Sequence, residues 1–201
     1  MVKLGLKPLK RNKGKYSSYK GTFGKIADNL INRDFEADKP NKNWYTDVTE
    51  FNLRGEKIYL SPIIDGFNQE VKSYDISKSP NLEQINHMLN IAFTENQNLK
   101  DLIFHSDQGW QYQHQSYQQQ LKNKGIRQSM SRKGNSMDNG LMKNFFGILK
   151  TEMFYDQEDN YKTIDDLINA IKEYIYYYNH DRIKEKLKGL SPVNYRLQSS
   201  N

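Results

Sequence analysis

The chain has 201 residues, a length that can bury one sizeable hydrophobic core. It contains no cysteine, which excludes disulfides and thiolate metal sites. Hydrophobic residues make up 36% of the chain, and no stretch approaches the ~20 consecutive apolar residues that a membrane span requires. The sequence therefore predicts a soluble, cytoplasmic protein without a membrane partner.

The net charge of +6 is concentrated in two basic segments. Residues 1–25 contain eight lysines and arginines, among them Lys13 and Lys15, and no acidic residue. Residues 121–135 also lack acids and contain Lys122, Lys124, Arg127, Arg132 and Lys133. Such clusters suit a polyanion such as DNA. A solvated tail and a solvated helix face would have the same composition, so both interpretations stay open here.

The first elements predicted along the chain are a basic arm and three strands. Residues 1–40 are rich in Lys, Gly and Ser and show no periodic pattern, which is typical of an arm or linker. Apolar and β-branched residues then predict three consecutive antiparallel strands, at residues 45–51, 57–65 and 70–76. Pro62 places the second strand near an edge or a bulge, because proline has no backbone donor.

Helices and strands alternate in the rest of the chain. Apolar residues at helical spacing predict a first helix and a later one that ends near Met153. A possible capping box of Thr163 and Asp166 marks the start of the last long helix. The predicted elements are a helix at 82–95, a strand at 102–105, a helix at 114–124, a strand at 126–130, a helix at 139–153 and a helix from 163.

This order of elements predicts an α/β fold in which helices flank one mixed sheet. We divide the chain into a basic arm at 1–40, a catalytic core at 41–155 and a C-terminal helical extension of that core at 156–201. Functional side chains collect at strand ends in such sheets, so the first and fourth strands could place Asp47 and Asp107 side by side.

Paired carboxylates of this kind are typical of metal-dependent phosphodiester chemistry. Two divalent metals about 3.5–4 Å apart stabilise the attacking and leaving oxygens of an in-line displacement. Mg²⁺ prefers carboxylate oxygens. Three acids are a natural minimum, with one bridging both metals and one extra on each.

Five motifs resemble the transposases of the bacterial insertion sequence three family, in the integrase-like product of their second reading frame. The resemblance covers nearly the whole chain, and the motifs agree in order and spacing. They are WYTDVTEF at 44–51, HSDQG at 105–109, SRKGNSMDN at 131–139, FFGILK at 145–150, and YYNHDR at 177–182 followed by LSP at 190–192.

The resemblance implies a ribonuclease H-like fold with a site of two aspartates and one glutamate. It assigns Asp47 and Asp107 as catalytic residues and as ligands of Mg²⁺ or Mn²⁺. The family's glutamate lies 36 positions after the second aspartate, where this chain has Lys143. A cation at that position is expected to cost several kcal/mol of metal binding, because unit charges ~4 Å apart interact by about 4 kcal/mol at an effective dielectric near 20. Lys143 could instead pair with the two aspartates.

No other acid is expected to take the glutamate's place. Asp138 precedes the helix and is expected to cap it. Glu152 lies about 13.5 Å further along the helix, and Glu50 is expected to point to the opposite face of its strand. His105 shares the face of Asp107, but a structural role is favoured. Arg132 and Lys133 lie beside the site loop and are the favoured phosphate contacts.

These observations predict a transposase core for DNA strand transfer that is impaired by Lys143. One alternative is a working enzyme with an unexpected metal ligand. A second is a DNA-binding or oligomerising regulator of a full-length transposase. The resemblance implies insertion-sequence ends and target DNA as partners, a second copy or an intact transposase as a protein partner, and a nucleoid location. The helix-turn-helix region that usually precedes the core is expected to be missing.

Overall fold

A mixed sheet forms the centre of the computed structural model, which describes residues 24–199. The strands are β1 (Asn43–Thr46), β2 (Thr49–Leu53), β3 (Glu56–Asp65), β4 (Val71–Ser77), β5 (Ile103–Ser106) and β6 (Arg127–Met130). Strand β3 pairs antiparallel with β4 along one side, and along its other side it pairs antiparallel first with β2 and then with β1. Strands β5 and β6 continue the sheet in parallel with β1. This arrangement confirms the predicted mixed sheet.

The prediction of one strand over residues 45–51 was wrong, because the chain breaks between β1 and β2. The Asp47 carboxylate accepts a hydrogen bond from the Val48 backbone N–H at 2.8 Å, which takes that donor out of the sheet. Opposite the break, β3 presents Pro62, which has no N–H to donate. Pro62 also lies beside a register shift at Ile63 and Ile64, as expected of a proline inside a strand.

The helices lie close to their predicted positions. They are α1 (Leu82–Glu95), α2 (Trp110–Gln113), α3 (Gln115–Asn123), α4 (Gly140–Met153), α5 (Ile164–His180) and α6 (Pro192–Ser199). Helix α5 begins with the predicted capping box, in which Thr163 and Asp166 satisfy each other's backbone N–H groups. Helix α6, after residue 191, was not predicted. None of the helices in residues 24–199 is long and apolar enough to cross a membrane.

Apolar side chains cover both faces of the sheet and form two core clusters. One cluster joins strand residues such as Phe51 to Phe145 of α4 and Ile171 of α5. The other joins Trp44 and Phe104 to helices α1 and α3. Helix α5 therefore completes the core that α4 begins. The described part of the N-terminal arm also packs on this core, since Ile31 is buried. The domain boundaries stay a prediction.

Candidate active site

Asp47 and Asp107 emerge at the same edge of the sheet. Asp47 directly follows β1 and Asp107 directly follows β5, and these strands are parallel neighbours. Their register pairs Tyr45 with His105, so two residues further on Asp47 comes opposite Asp107. Neighbouring strands lie about 4.8 Å apart. The fold thus brings together two residues that are 60 positions apart in the sequence.

Each aspartate is oriented by hydrogen bonds from nearby N–H groups. For Asp47, one carboxylate oxygen accepts from the Val48 N–H and the other accepts from the Asn139 side-chain Nδ2 at 3.3 Å. Asp107 accepts from the backbone N–H of Gly109 at 2.8 Å. A Cβ at position 109 would lie 3.0 Å from the Asp107 carboxylate, so the glycine permits this close turn.

The two carboxylates destabilise each other's charge. Burial raises the pKa of Asp47 well above its ordinary value, and the charge of Asp107 raises it further. Burial also raises the pKa of Asp107. The hydrogen bonds from Val48 and Gly109 act in the opposite direction on these two pKa values. A pair of this kind is stabilised by positive charge nearby.

Lys143 supplies positive charge to both aspartates. Its side chain is exposed on α4, where Met142 and Phe145 point into the core on either side of it. The positive charge of Lys143 lowers the pKa of Asp47 and that of Asp107. The charge at position 143 therefore acts on both aspartates. The assignment of Lys143 to the third acidic position of the site stays a prediction.

The other acids near the site are held by their own partners. Glu152 binds the Arg182 guanidinium and the Tyr174 hydroxyl. Glu50 is exposed and accepts from Lys57 and Tyr59. Neither is available beside Asp47 and Asp107, as expected from the sequence.

Asp138 does not cap α4, contrary to the prediction. Its side chain is fully buried and binds the Arg33 Nε at 2.9 Å and the Arg132 Nε at 2.8 Å. The Asn29 side chain donates a further hydrogen bond at 3.0 Å. These arginines come from the N-terminal segment and from the loop after β6, so Asp138 joins the two segments instead of capping the helix.

The residues present do not fit a resident divalent metal. Within residues 24–199, no group of three His, Cys, Asp or Glu side chains could hold a metal ion. Asp47 and Asp107 offer oxygen ligands of the type that Mg²⁺ prefers. Lys143, whose charge acts on both aspartates, is a cation and supplies no ligand.

His105 has a structural environment, in agreement with the favoured interpretation. It is fully buried between two serines, with Nδ1 at 2.8 Å from the Ser129 hydroxyl and Nε2 at 3.2 Å from that of Ser131. Burial lowers the pKa of His105 to about 4. The imidazole is therefore neutral at pH 7 and links β5 to β6 and the loop after it.

Two residues of the site were missed by the sequence analysis. Asn139 contacts Asp47 directly, and its only sequence signal was its place beside Asp138 before a helix. Tyr112 is fully buried, and its pKa is raised by burial and by the charges of Asp47 and Asp107. Nothing in the local pattern around Tyr112 distinguishes it from a core residue.

The predicted DNA contacts lie near β6 or outside the described residues. Lys122 lies in the last turn of α3, Lys124 directly follows that helix, and Arg127 begins β6; all three are exposed. Lys133 is exposed in the loop after β6, and Arg132 in the same loop is paired with Asp138. Lys13 and Lys15 lie outside residues 24–199. All seven stay predictions.

The fold and the paired aspartates define a ribonuclease H-like integrase core. Among solved structures, the chain resembles a chain of a simian T-cell lymphotropic virus intasome in complex with a PP2A regulatory subunit. The TM-score is 0.63 and the identity 23%, with 88% of this chain and 57% of that chain covered. The chain also resembles the HTLV-2 integrase catalytic core domain in complex with magnesium, with a TM-score of 0.63, 21% identity, and 79% and 98% covered. These likenesses confirm the fold.

Family comparisons identify the chain more closely. Models of the integrase core domain match residues 37–136 and 143–199. An uncharacterized transposase-like protein of Haemophilus influenzae is 54% identical over 198 residues, covering 98% of this chain and 90% of that protein. The putative transposase InsK of insertion sequence element IS150 from Escherichia coli is 50% identical over 185 residues, covering 92% of this chain and 65% of InsK. The chain belongs to the integrase-core transposases of bacterial insertion sequences.

Proposed function

We propose that this chain is a core built for metal-dependent DNA strand transfer in which Lys143 has replaced the third acidic ligand and impairs the reaction. The observation that carries the proposal is electrostatic. Lys143 acts on both Asp47 and Asp107 and favours their charged forms. In a working two-metal site this stabilisation comes from the metal ions. Asp47 and Asp107 are proposed as the two remaining ligand residues of that site.

A lysine at this position opposes metal binding in two ways. It removes an oxygen ligand, and it places a positive charge where a divalent cation would sit. Repulsion between unit charges at 4 Å amounts to about 4 kcal/mol at an effective dielectric near 20. Since 1.4 kcal/mol is a factor of ten in affinity, the substitution is expected to reduce Mg²⁺ or Mn²⁺ affinity by at least about a hundredfold.

The experiment compares Mn²⁺ affinity of the unmodified chain with that of Lys143→Glu. We expect weak or no binding by the unmodified chain and measurable binding by the variant. A matched control is Lys150→Glu, two turns further along α4, where the lysine donates to the Glu50 carbonyl and not to the aspartates. That change should leave Mn²⁺ affinity as low as in the unmodified chain.

Strand transfer on an insertion-sequence end then tests the chemistry itself. The unmodified chain is expected to show none, and Lys143→Glu some recovery. Asp107→Asn in each background is the inactive control. Robust transfer by the unmodified chain that Asp107→Asn abolishes would contradict the proposal and support a working enzyme with an unexpected ligand.

A second candidate function is regulation of an intact transposase. The basic side chains Lys122, Lys124 and Arg127 are exposed and lie apart from the aspartate pair, so DNA binding does not depend on a working metal site. A chain that binds DNA or joins a complex without catalysis would then compete with an active protein. One of the similar structures is that of an intasome in complex with a PP2A regulatory subunit. Co-purification with an intact transposase, and reduced transposition when this chain is added, would identify this function.

A further inference from the structure

Asn139 connects the start of α4 to the end of β1. It is the last residue of the 3-10 helix Ser136–Asn139, and it is 2% exposed. Its Nδ2 lies 3.3 Å from the Thr46 carbonyl oxygen and 3.3 Å from the Asp47 carboxylate. The reverse orientation of the amide would place Oδ1 against two oxygens, so the chemistry assigns Nδ2 to this side. Asn139 therefore donates to a strand end and to a site carboxylate.

Asp138, the residue before Asn139, is held by hydrogen bonds from other parts of the chain. Asp138 accepts hydrogen bonds from Asn29, Arg33 and the backbone and side chain of Arg132. These partners lie in the N-terminal segment and in the loop after β6. Because Asp138 is fixed in this way, the backbone at position 139 has little freedom, and the amide is held in place against Asp47.

The oxygen end of the Asn139 amide indicates that this side chain acts through its N–H donors. The Asn139 Oδ1 atom is buried and has no hydrogen-bond partner within residues 24–199. A buried acceptor without a partner is destabilising. An apolar side chain of the same shape would avoid that cost, so the amide can be favourable only through the bonds that Nδ2 donates.

We propose that Asn139 is a positioning residue, which orients the Asp47 carboxylate relative to Asp107 and to position 143. Asn139 is the N-cap of α4, and residue 143 lies four positions later in the first turn of that helix. This inference rests on the proposed function insofar as it takes Asp47 as a site carboxylate. Removing a donor to a metal-ligating carboxylate typically changes metal affinity by about ten- to a hundredfold.

The first experiment does not depend on metal. Melting temperatures are measured for the unmodified chain, Asn139→Leu, Asp47→Ala and the double variant. If Asn139 holds Asp47, the effect of Asp47→Ala should differ between the two backgrounds by about 3 °C or more. Asn139→Ala gives the same cycle if Asn139→Leu does not fold. Asn43→Leu is the control, because Asn43 is buried on the same strand but donates to the Glu36 carbonyl. Its effect should be additive with Asp47→Ala.

The second experiment measures Mn²⁺ affinity in the Lys143→Glu chain. There, Asn139→Leu should weaken binding by about tenfold or more, and Asn43→Leu should not. Additive changes of melting temperature in the first cycle, or unchanged Mn²⁺ affinity in the second, would overturn the positioning role. If Lys143→Glu binds no Mn²⁺ but the first cycle is coupled, Asn139 does position Asp47 and the proposed function is what fails.

Discussion

The Asp138 carboxylate accepts five hydrogen bonds, from Asn29, from Arg33 and three times from Arg132. The bonds from Arg132 are the main reason that the pKa of Asp138 lies far below its ordinary value. Two of the three partners come from the N-terminal segment, more than 100 positions away in the sequence. A single residue next to the site thus ties the N-terminal segment to the loop that leads into α4.

The pKa of Asp138 predicts how stability depends on pH. Its folded-state pKa is below the unfolded value of about 3.9, so its contribution to stability is present above about pH 4 and declines as pH falls through the lower folded-state pKa. Asp138→Asn should cost roughly 1.5–3 kcal/mol at neutral pH and should remove this decline. Urea unfolding from about pH 2 to pH 6 measures it. Parallel curves for the two proteins would show that Asp138 does not contribute in this way.

At the scale of elements, the segment after α5 closes onto the sheet through a partly buried lysine. The Lys184 ammonium donates to the Gln69 side chain at 2.9 Å and to the Tyr178 hydroxyl. It also lies 4.1 Å from the centre of the Tyr178 ring. Gln69 follows β3, and Tyr178 belongs to α5. Lys184 therefore joins three parts of the chain on the face of the sheet that α4 and α5 cover.

Burial lowers the pKa of Lys184 to about 7, with a further contribution from the charge of Arg182 and an opposing one from Glu152. The unfolded value is about 10.4. Between these values the unfolded chain binds more protons, so this group makes stability rise from about pH 7 to pH 10. The Lys184→Met variant lacks that slope. The stability of the variant relative to that of the unmodified chain should therefore be greater at about pH 6.5 than at about pH 9.5. The first of these pH values is about half a unit below the folded-state pKa, and the second is about one unit below the unfolded-state pKa.

Urea unfolding of both proteins at these two pH values measures the difference. Lys172→Met, a change at an exposed lysine on α5, is a matched control. This variant shows how the loss of a lysine charge from α5 affects stability at the two pH values. An equal difference for Lys184→Met would show that Lys184 titrates in the folded protein as it does in the unfolded chain.

At the scale of the whole molecule, basic groups flank edge strand β6 at both ends. Lys122, Lys124 and Arg127 lie at its start, and Lys133 follows its end. A four-residue strand spans roughly 13 Å. Charges spread over this distance suit contacts with several phosphates of a duplex, which give affinity without sequence preference.

Duplex binding should therefore fall steeply with salt. The double change Lys122→Gln and Lys124→Gln should weaken binding and reduce the slope of log affinity against log salt by about 0.9 for each phosphate that the variant no longer neutralises. Fluorescence anisotropy between about 50 and 200 mM salt measures this slope. Lys78→Gln, at an exposed position just after β4, is the control. An unchanged slope for the double variant would show that the C-terminal end of α3 does not contact DNA.

Much of the fold could be predicted from the sequence because the signals are local. The periodic apolar residues of α1, α4 and α5 and the capping box of Thr163 depend on neighbours within a few positions. The break between β1 and β2 was missed because it depends on Pro62 in another strand. Helix α6 was missed because it is short and only weakly apolar on one side.

The sequence by itself determined the identity and spacing of Asp47, Asp107 and Lys143, and with them the class of the protein. Only the tertiary structure decided what surrounds them. The parallel pairing of β1 and β5 sets the aspartates side by side. The hydrogen bond from Asn139 to Asp47 and the ion pair of Asp138 with Arg33 each join residues about 90 or more positions apart. Contacts across such distances leave no periodic signal in the chain, because they depend on how the sheet and helices pack and not on local backbone preference.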